Sequence, residues 1–414
     1  MRYIVLGAGL MGRVAARALL EGDASAAVTL TDIDGERLNA FVQQYGRLFA
    51  DRLATRVLDA RDAAALDAAL AGHDVAINAL YYTFNEPVAR ASFARGVHYV
   101  DLGGHIMGIT RNILGLHEEA VKRGVTLIPD LGVAPGMINI LTGYGASLLH
   151  RVRHIRLYVG GIPRQPEPPL GYAHVFSLEG LFDHYSDPAE IIRGGRRVVV
   201  PALSEVETVY FPQFGPLEAF HTAGGTSTLI DTFQDVESLE YKTVRYPGHA
   251  EKMRFLAELG LLDRERVVDV GGAHIRPRDC LLRLLEPRLA LGERDDAVVL
   301  RVSLEGEWNG VPAEVHFESV TFKDRARGVT AMAQMTAYSI VAVAEMLAQG
   351  KITTAGAYPP ERIVPGAEYI AAMKTRGVHI EAEARDGAGR PLPDSFWERK
   401  EGAAAGTRKG HVAT

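Results

Sequence analysis

Arg2-Tyr3-Ile4-Val5-Leu6-Gly7-Ala8-Gly9-Leu10-Met11-Gly12 is the stretch from which the fold is read. A short apolar run passes directly into glycines spaced G-x-G-x-x-G, after which Val14, Ala18 and Leu19 recur at helical spacing. Gly7 permits a tight turn, Gly9 lets backbone approach a diphosphate, and Gly12 lets strand and helix pack closely. The helix that opens at Leu10 and Met11 then turns its unpaired N–H groups and positive dipole end toward the phosphates. A glycine triplet alone is weak evidence. Here Asp32 follows, 20 residues past Gly12 and at the end of the next predicted strand. A carboxylate at that place accepts hydrogen bonds from ribose hydroxyls and repels a 2′-phosphate, so NAD is the expected cofactor. No Arg directly follows Asp32 to reverse that preference.

Working outward, further strands are predicted at Val28–Thr31, Ala54–Leu58, Val75–Asn78, Tyr99–Leu102 and Thr126–Ile128, with helical segments between them. Apolar runs that alternate with helices imply a parallel sheet covered on both faces, hence an α/β, Rossmann-type doubly wound fold. From about Ala134 the texture changes. His154–Gly160, Arg197–Leu203, Glu207–Phe211, Leu239–Arg245 and Val298–Leu304 read as strands, and Asn309-Gly310 as a type I′ hairpin turn. This predicts an inserted α+β, largely antiparallel substrate domain over residues 134–331. Residues 1–133 and 332–385 are assigned to the dinucleotide-binding domain, because the helical pattern of Thr336–Ala348 follows the antiparallel region. Residues 386–414, rich in Gly, Ala, Arg and Lys, read as a peripheral tail.

Composition narrows the function. The 414 residues carry 45 Lys plus Arg against 51 Asp plus Glu, a formal charge of -6. That balance offers no concentrated basic surface for nucleic acid. A single cysteine, Cys280, excludes an internal disulfide and a Cys-rich metal site. No metal-ligand spacing is found among the 14 histidines, and there is no Walker loop or nucleophile elbow. The apolar stretch from Ala337 to Ala348 is too short for a membrane span and is interrupted by Glu345. With no leader segment read at the N-terminus, a cytoplasmic enzyme is expected. Its partners would be a small amino-acid substrate and further copies of itself, with no nucleic acid and no membrane.

Ligands of such sheets bind outside the carboxyl ends of the strands. Asn78, Tyr81-Tyr82, Asp101-Leu-Gly-Gly-His105 and Asp130-Leu-Gly-Val-Ala-Pro-Gly136 all begin there. Asn78 is a cofactor candidate; Tyr82, Asp101 and His105 are catalytic candidates. Taken singly, each is more often a turn former than a catalyst. In the second region Tyr241-Lys-Thr-Val-Arg-Tyr-Pro-Gly-His249 stands out. On a strand, residues 241, 243 and 245 share one face. Arg245 and His249 are therefore set toward a substrate, and Lys242 joins them only if a bulge re-aims it. Tyr246 and Thr226, in the Gly-rich turn after His221, complete the substrate-binding candidates. An amphipathic strand and a plain turn would explain the same residues.

The glycine fingerprint, Asp101-Leu-Gly-Gly, Val133-Ala-Pro-Gly136, Phe176-Ser-x-Glu-Gly180 and Arg245-Tyr-Pro-Gly-His249 together resemble the saccharopine dehydrogenase family, over roughly residues 1 to 380. The branch most resembled is lysine 6-dehydrogenase. The resemblance implies NAD-dependent oxidative deamination of the ε-amine of lysine, giving the 6-semialdehyde and ammonia. It also implies a Rossmann domain interrupted by a substrate domain, with a C-terminal helix returning to the first. The saccharopine-forming reductases have an acid where Ala134 stands, and an Arg in the turn that here reads Thr222-Ala-Gly-Gly-Thr226. Saccharopine has three carboxylates and benefits from extra cationic anchors, so loss of that Arg favours a smaller substrate. A saccharopine or carboxynorspermidine reductase is the alternative enzyme, and a non-catalytic NAD-binding sensor the alternative class. The base that takes the ammonium proton is expected to be His249 or Asp101, with Tyr82 and His105 behind them. Arg245 is expected to hold the substrate carboxylate.

Overall fold

Six short strands, β1 (Arg2–Leu6), β2 (Ala27–Asp32), β3 (Leu53–Val57), β4 (Val75–Asn78), β5 (His98–Asp101) and β6 (Thr126–Ile128), form a parallel sheet. They appear in a computed structural model that describes residues 1–104, 107–173 and 178–398. A seventh strand, Gly356–Ala357, comes from near the other end of the chain, and the order across the sheet is Gly356–Ala357, β6, β5, β4, β1, β2, β3. The chain therefore starts in the middle of its own sheet and reverses between β1 and β4. That switch point opens the crevice where a dinucleotide lies. The register aligns Leu6 with Asn78, and Asn78 with Asp101. These residues mark one carboxyl edge.

The second sheet has nine strands among the described residues and is mixed. Its centre is the long strand Arg151–Pro163, paired antiparallel with Asp296–Trp308 and parallel with Ser238–Arg245. The Asn309-Gly310 turn forms as read: both residues have positive φ (50° and 79°), and Trp308 pairs with Val311. A one-residue turn error would have flipped the following strand, Val311–Phe322, so that its buried alternate positions faced water.

The helix Ala331–Ala348 joins the two sheets. Thr330 caps it by accepting a hydrogen bond from the Ala333 N–H at 3.2 Å. The Asp296 carboxylate accepts from Ala331 N–H at 2.7 Å and Met332 N–H at 3.0 Å. The helix begins earlier than the apolar periodicity suggests because that anchor sits at the end of a distant strand. It packs on the first glycine-loop helix and on strands of both sheets. This helix is long and apolar enough to cross a membrane by length alone, yet most of it is buried inside the protein.

In two places the returning segment differs from its sequence reading. The strand Glu381–Asp386, whose residues 381–385 are grouped with the dinucleotide domain and whose last residue opens the predicted tail, instead forms an edge of the second sheet against Val311–Phe322. Residues 386–398 are not a frayed tail. Phe396 is buried against Trp308, and Trp397 lies against Phe317 and Tyr144. Two aromatic side chains in a segment without periodicity bury enough apolar surface to hold it down.

Candidate active site

The glycine loop has the geometry its residues require. Gly7 has φ +101°, and its N–H donates to the Thr31 carbonyl at 2.8 Å. A Cβ on Gly12 would lie 1.8 Å from the Gly7 carbonyl oxygen, whereas one on Gly9 would meet nothing within 4 Å. No side chain caps the helix Leu10–Gly22, and its first turn holds no acid. The open space over Gly9, together with uncapped N–H groups at Leu10 and Met11, fits a diphosphate. Asp32 Oδ2 accepts from the Ala8 N–H at 2.7 Å, and Oδ1 from the Asp34 N–H at 2.9 Å. Its carboxylate is thus fixed at the rim of the loop with lone pairs to spare for ribose hydroxyls.

Asn78 does not present its amide to that crevice. Nδ2 donates to Asn85 Oδ1 at 2.9 Å and to the Tyr99 hydroxyl at 3.3 Å, while Oδ1 accepts from the Leu80 N–H at 3.2 Å. The residue orders the turn after β4, and its expected cofactor contact is replaced by this internal network. Tyr82, in that same turn, is half-buried beside the loop after β5: a Cβ on Gly104 would come within 2.3 Å of Tyr82 Cβ. His105 lies outside the described residues.

Asp101 is fully buried. Its Oδ1 accepts from the Gly103 N–H at 2.6 Å and from the Asp130 N–H at 3.0 Å. Among the described residues Oδ2 has no hydrogen-bond partner. The Tyr99 hydroxyl near it donates to the Asn85 carbonyl instead, at 3.0 Å. Asp130 is equally buried and sits at φ +65°, a strained conformation for a residue with a side chain. Its carboxylate accepts from Thr110 Oγ1 at 3.1 Å and from Ser227 Oγ. Burial pushes both carboxyls above the ordinary aspartate range, and the Asp101 charge pushes Asp130 further.

The second cluster surrounds Arg245. Its guanidinium is buried, lies 4.7 Å from the centre of the Tyr172 ring, and donates to the Tyr185 hydroxyl at 3.1 Å and to the Val244 carbonyl at 2.8 Å. Among the described residues no carboxylate pairs with it. His249 is buried beside it, its Nδ1–H donating to the Leu170 carbonyl at 3.1 Å, so Nε2 accepts from the Tyr185 O–H at 3.0 Å. Burial, and then the Arg245 charge, push the imidazole down to about 3. With both nitrogens engaged and the ring held neutral, His249 is a positioning residue for Tyr185 and Arg245; the expectation of a base there gives way.

Two other expectations change. Lys242 points away from Arg245, because the pairing of Glu218 with Arg245 through His221 with Lys242 is regular and no bulge re-aims it. Its ammonium meets Glu207 at 2.8 Å. Tyr246 is tied down by its hydroxyl, which donates to the Pro163 carbonyl at 2.9 Å. Thr226 is buried and donates to the Glu190 carbonyl at 3.3 Å. Its neighbours in the same loop carry the connection between clusters: Ser227 reaches Asp130, and Thr222 Oγ1 lies 2.7 Å from Thr243 Oγ1 on the Arg245 strand.

Comparison with known proteins gives the lineage. The profile of the saccharopine dehydrogenase C-terminal domain matches residues 132–378, and that of the family's NADP binding domain matches residues 3–128. The chain belongs to the saccharopine dehydrogenase family. It is 26% identical over 216 residues to the Schizosaccharomyces pombe saccharopine dehydrogenase [NADP(+), L-glutamate-forming], covering 50% of this chain and 47% of that protein. It is 25% identical over 280 residues to the bovine mitochondrial alpha-aminoadipic semialdehyde synthase, covering 64% of this chain and 29% of that one. The chain thus spans about half or less of the length of these curated relatives. The apo saccharopine dehydrogenase (L-Glu forming) of Saccharomyces cerevisiae superposes with a TM-score of 0.76 at 19% identity, over 92% of this chain and 99% of that one, and shares its fold.

Within this family framework, Tyr185, Tyr172, Ser227 and the depth of Asp130 are what the residues alone do not disclose. Asp130 is visible as an acid at a strand end, but its partners lie 97 and 20 residues away. Tyr185 is an ordinary helix residue until the helix Leu178–Ser186 is laid across the second sheet.

Proposed function

We propose that this chain oxidises the side-chain amine of a small amino acid, with L-lysine as substrate and NAD as cofactor. The observation that carries the reading is Arg245: a buried cation with no carboxylate partner among the described residues, stacked on Tyr172 and oriented by Tyr185. An unpaired buried charge is costly, and a substrate carboxylate taken into its planar fork would offset that cost. The loop Thr222–Thr226 adds no second arginine, which favours one carboxylate to bind over three.

A bound nicotinamide would accept hydride from the carbon that bears the amine. The chain's own residues must first free the nitrogen lone pair, since a lysine ammonium has a pKa near ~10.4. Asp101 Oδ2 is the proton acceptor we assign: it is buried and without a hydrogen-bond partner among the described residues, with its partner oxygen held by two backbone N–H groups. Asp130 stands behind it, fixed by Thr110 and Ser227, as the group that receives or returns charge. Loss of hydride leaves an imine; addition of water then releases ammonia and the aldehyde. Asp101→Asn should lower kcat by about a hundredfold or more while cofactor binding persists.

Asp32 supports NAD against the NADP named for the fungal relatives, since its anchored charge would meet a 2′-phosphate. The second reading, saccharopine oxidation, is favoured by those relatives' names. The test is a matrix of L-lysine and saccharopine with NAD and NADP, following reduced cofactor and assaying ammonia and glutamate. Reduction of NAD with lysine and release of ammonia is expected. Glutamate release from saccharopine would replace the proposal with the second reading, and efficient use of NADP would overturn the cofactor assignment.

A further inference from the structure

We propose that Glu205, His221 and Glu240 form a binding site for a divalent cation of the zinc class, on the face of the second sheet opposite Arg245. Side chains on one strand alternate between faces. His221 ends the strand Gly215–His221 and pairs with Lys242, so it shares a face with Lys242 and Glu240 and not with Arg245. Glu205 comes from the turn between the strands Arg196–Val200 and Glu207–Phe211. Two backbone bonds hold that turn on His221 itself: Leu203 N–H donates to the His221 carbonyl at 2.8 Å, and His221 N–H to the Ser204 carbonyl at 3.2 Å. Glu205 is set at φ +50°, a conformation that an L side chain rarely adopts.

The imidazole is prepared as a ligand. It is fully buried, and Nδ1 faces the Tyr241 carbonyl at 3.2 Å, so Nδ1 carries the hydrogen and Nε2 presents its lone pair. Such a bond from the far nitrogen to a carbonyl is the usual support of a metal-bound histidine. Nε2 faces two carboxylate oxygens, Glu205 Oε2 at 3.3 Å and Glu240 Oε2 at 3.8 Å, and the three atoms lie within 4.8 Å of one another. Without an ion, Nε2 and Glu205 Oε2 lie within hydrogen-bond range of each other. Ligands held tetrahedrally at zinc distances lie about 3.4 Å apart, near the two distances measured from Nε2. Glu205 Oε2 also accepts from Arg193 at 2.7 Å, Lys242 donates to the Glu205 carbonyl at 3.0 Å, and Arg156 is 4.0 Å from Glu240 Oε1, so an ion would share Glu205 Oε2 with Arg193 or take the other oxygen of that carboxylate. Glu205 is 42% exposed, so water completes the coordination. One His and two carboxylates suit zinc or cobalt better than magnesium or calcium, which take oxygen ligands. The ion would pin the Glu205 turn to the sheet, outside the catalytic cleft.

The tag-free full chain, stripped with chelator, would be titrated with Zn2+ by calorimetry and with Co2+ by visible absorption. One equivalent should bind, with the intense absorption of tetrahedral cobalt. Glu205→Gln and Glu240→Gln, both at accessible side chains, should each weaken binding about tenfold or more while circular dichroism is unchanged. Glu237→Gln, beside His154 in a pair of one carboxylate and one imidazole, should bind as the parent does. Absence of stoichiometric binding, or binding that ignores both Glu205→Gln and Glu240→Gln, would overturn the site and leave His221 as a hydrogen-bond partner of Glu205.

Discussion

Arg245, Tyr185 and His249 form one directed chain: guanidinium N–H to phenol oxygen, phenol O–H to imidazole nitrogen, imidazole N–H to the Leu170 carbonyl. Each donor has a single acceptor, so the guanidinium plane is fixed before any ligand arrives. If Arg245 holds a carboxylate, Arg245→Ala should raise KM for lysine by about thirtyfold, equivalent to about 2 kcal/mol, and leave an amine lacking the α-carboxylate nearly unaffected. Equal penalties for both substrates would make Arg245 purely structural. His249 makes a prediction in pH. Its folded-state value of about 3 lies below the ordinary histidine value. The unfolded chain therefore takes up a proton that the folded protein refuses, and stability falls as pH drops from about 6.5 toward that lower value. Between neutrality and about pH 4.5 this one group should remove about 2 kcal/mol. Urea unfolding at the two pH values checks it, with His249→Gln expected to lose less than the parent.

At the scale of elements, the strand–turn–helix around Gly7 to Gly12 separates two uses of glycine. Gly12→Ala would drive a methyl group to within 1.8 Å of the Gly7 carbonyl, and should cost about 3 kcal/mol of stability. Gly9→Ala has ordinary backbone angles (φ -69°) and free space around it, so stability should change by about 0.5 kcal/mol or less. The added methyl group would instead occupy the phosphate cradle and weaken dinucleotide binding. Thermal unfolding alongside cofactor titration distinguishes the two, and a Gly9→Ala protein that binds cofactor normally would show the cradle to be elsewhere.

At the scale of the whole molecule, a few long-range ties hold the crevice together. Glu361, buried near the C-terminal end, accepts from Thr232 Oγ1 at 2.7 Å, Thr228 Oγ1 at 3.0 Å and Asn139 Nδ2 at 3.2 Å. The returning segment thereby fixes the same loop that brings Ser227 to Asp130. Beyond it, Leu392 N–H donates to the Ala384 carbonyl at 2.9 Å and Phe396 fills a place beside Trp308. Truncation after Arg390 should therefore destabilise the protein by about 3 kcal/mol, roughly the burial of one large aromatic side chain and part of another. Cofactor affinity should be retained, since these aromatics lie on the second sheet. Unchanged unfolding of the truncated chain would refute the packing role.

Features legible in the residues alone are local and periodic. Glycines at 7, 9 and 12, the acid at 32, the alternation of strand and helix, and the Asn309-Gly310 turn each state their conformation within a few residues, because backbone sterics and apolar periodicity act at short range. Asp101 and Arg245 were legible as candidates for the same reason, one at a strand end and the other on a known face. What those side chains meet is set by long-range packing. Lys242 and Tyr246 have partners in Glu207 and Pro163, and Asn78 in Asn85 and Tyr99. The neutrality of His249 follows from burial beside a cation of another turn. Hydrogen bonding and desolvation depend on which distant atoms share a volume, and no spacing along the chain records that.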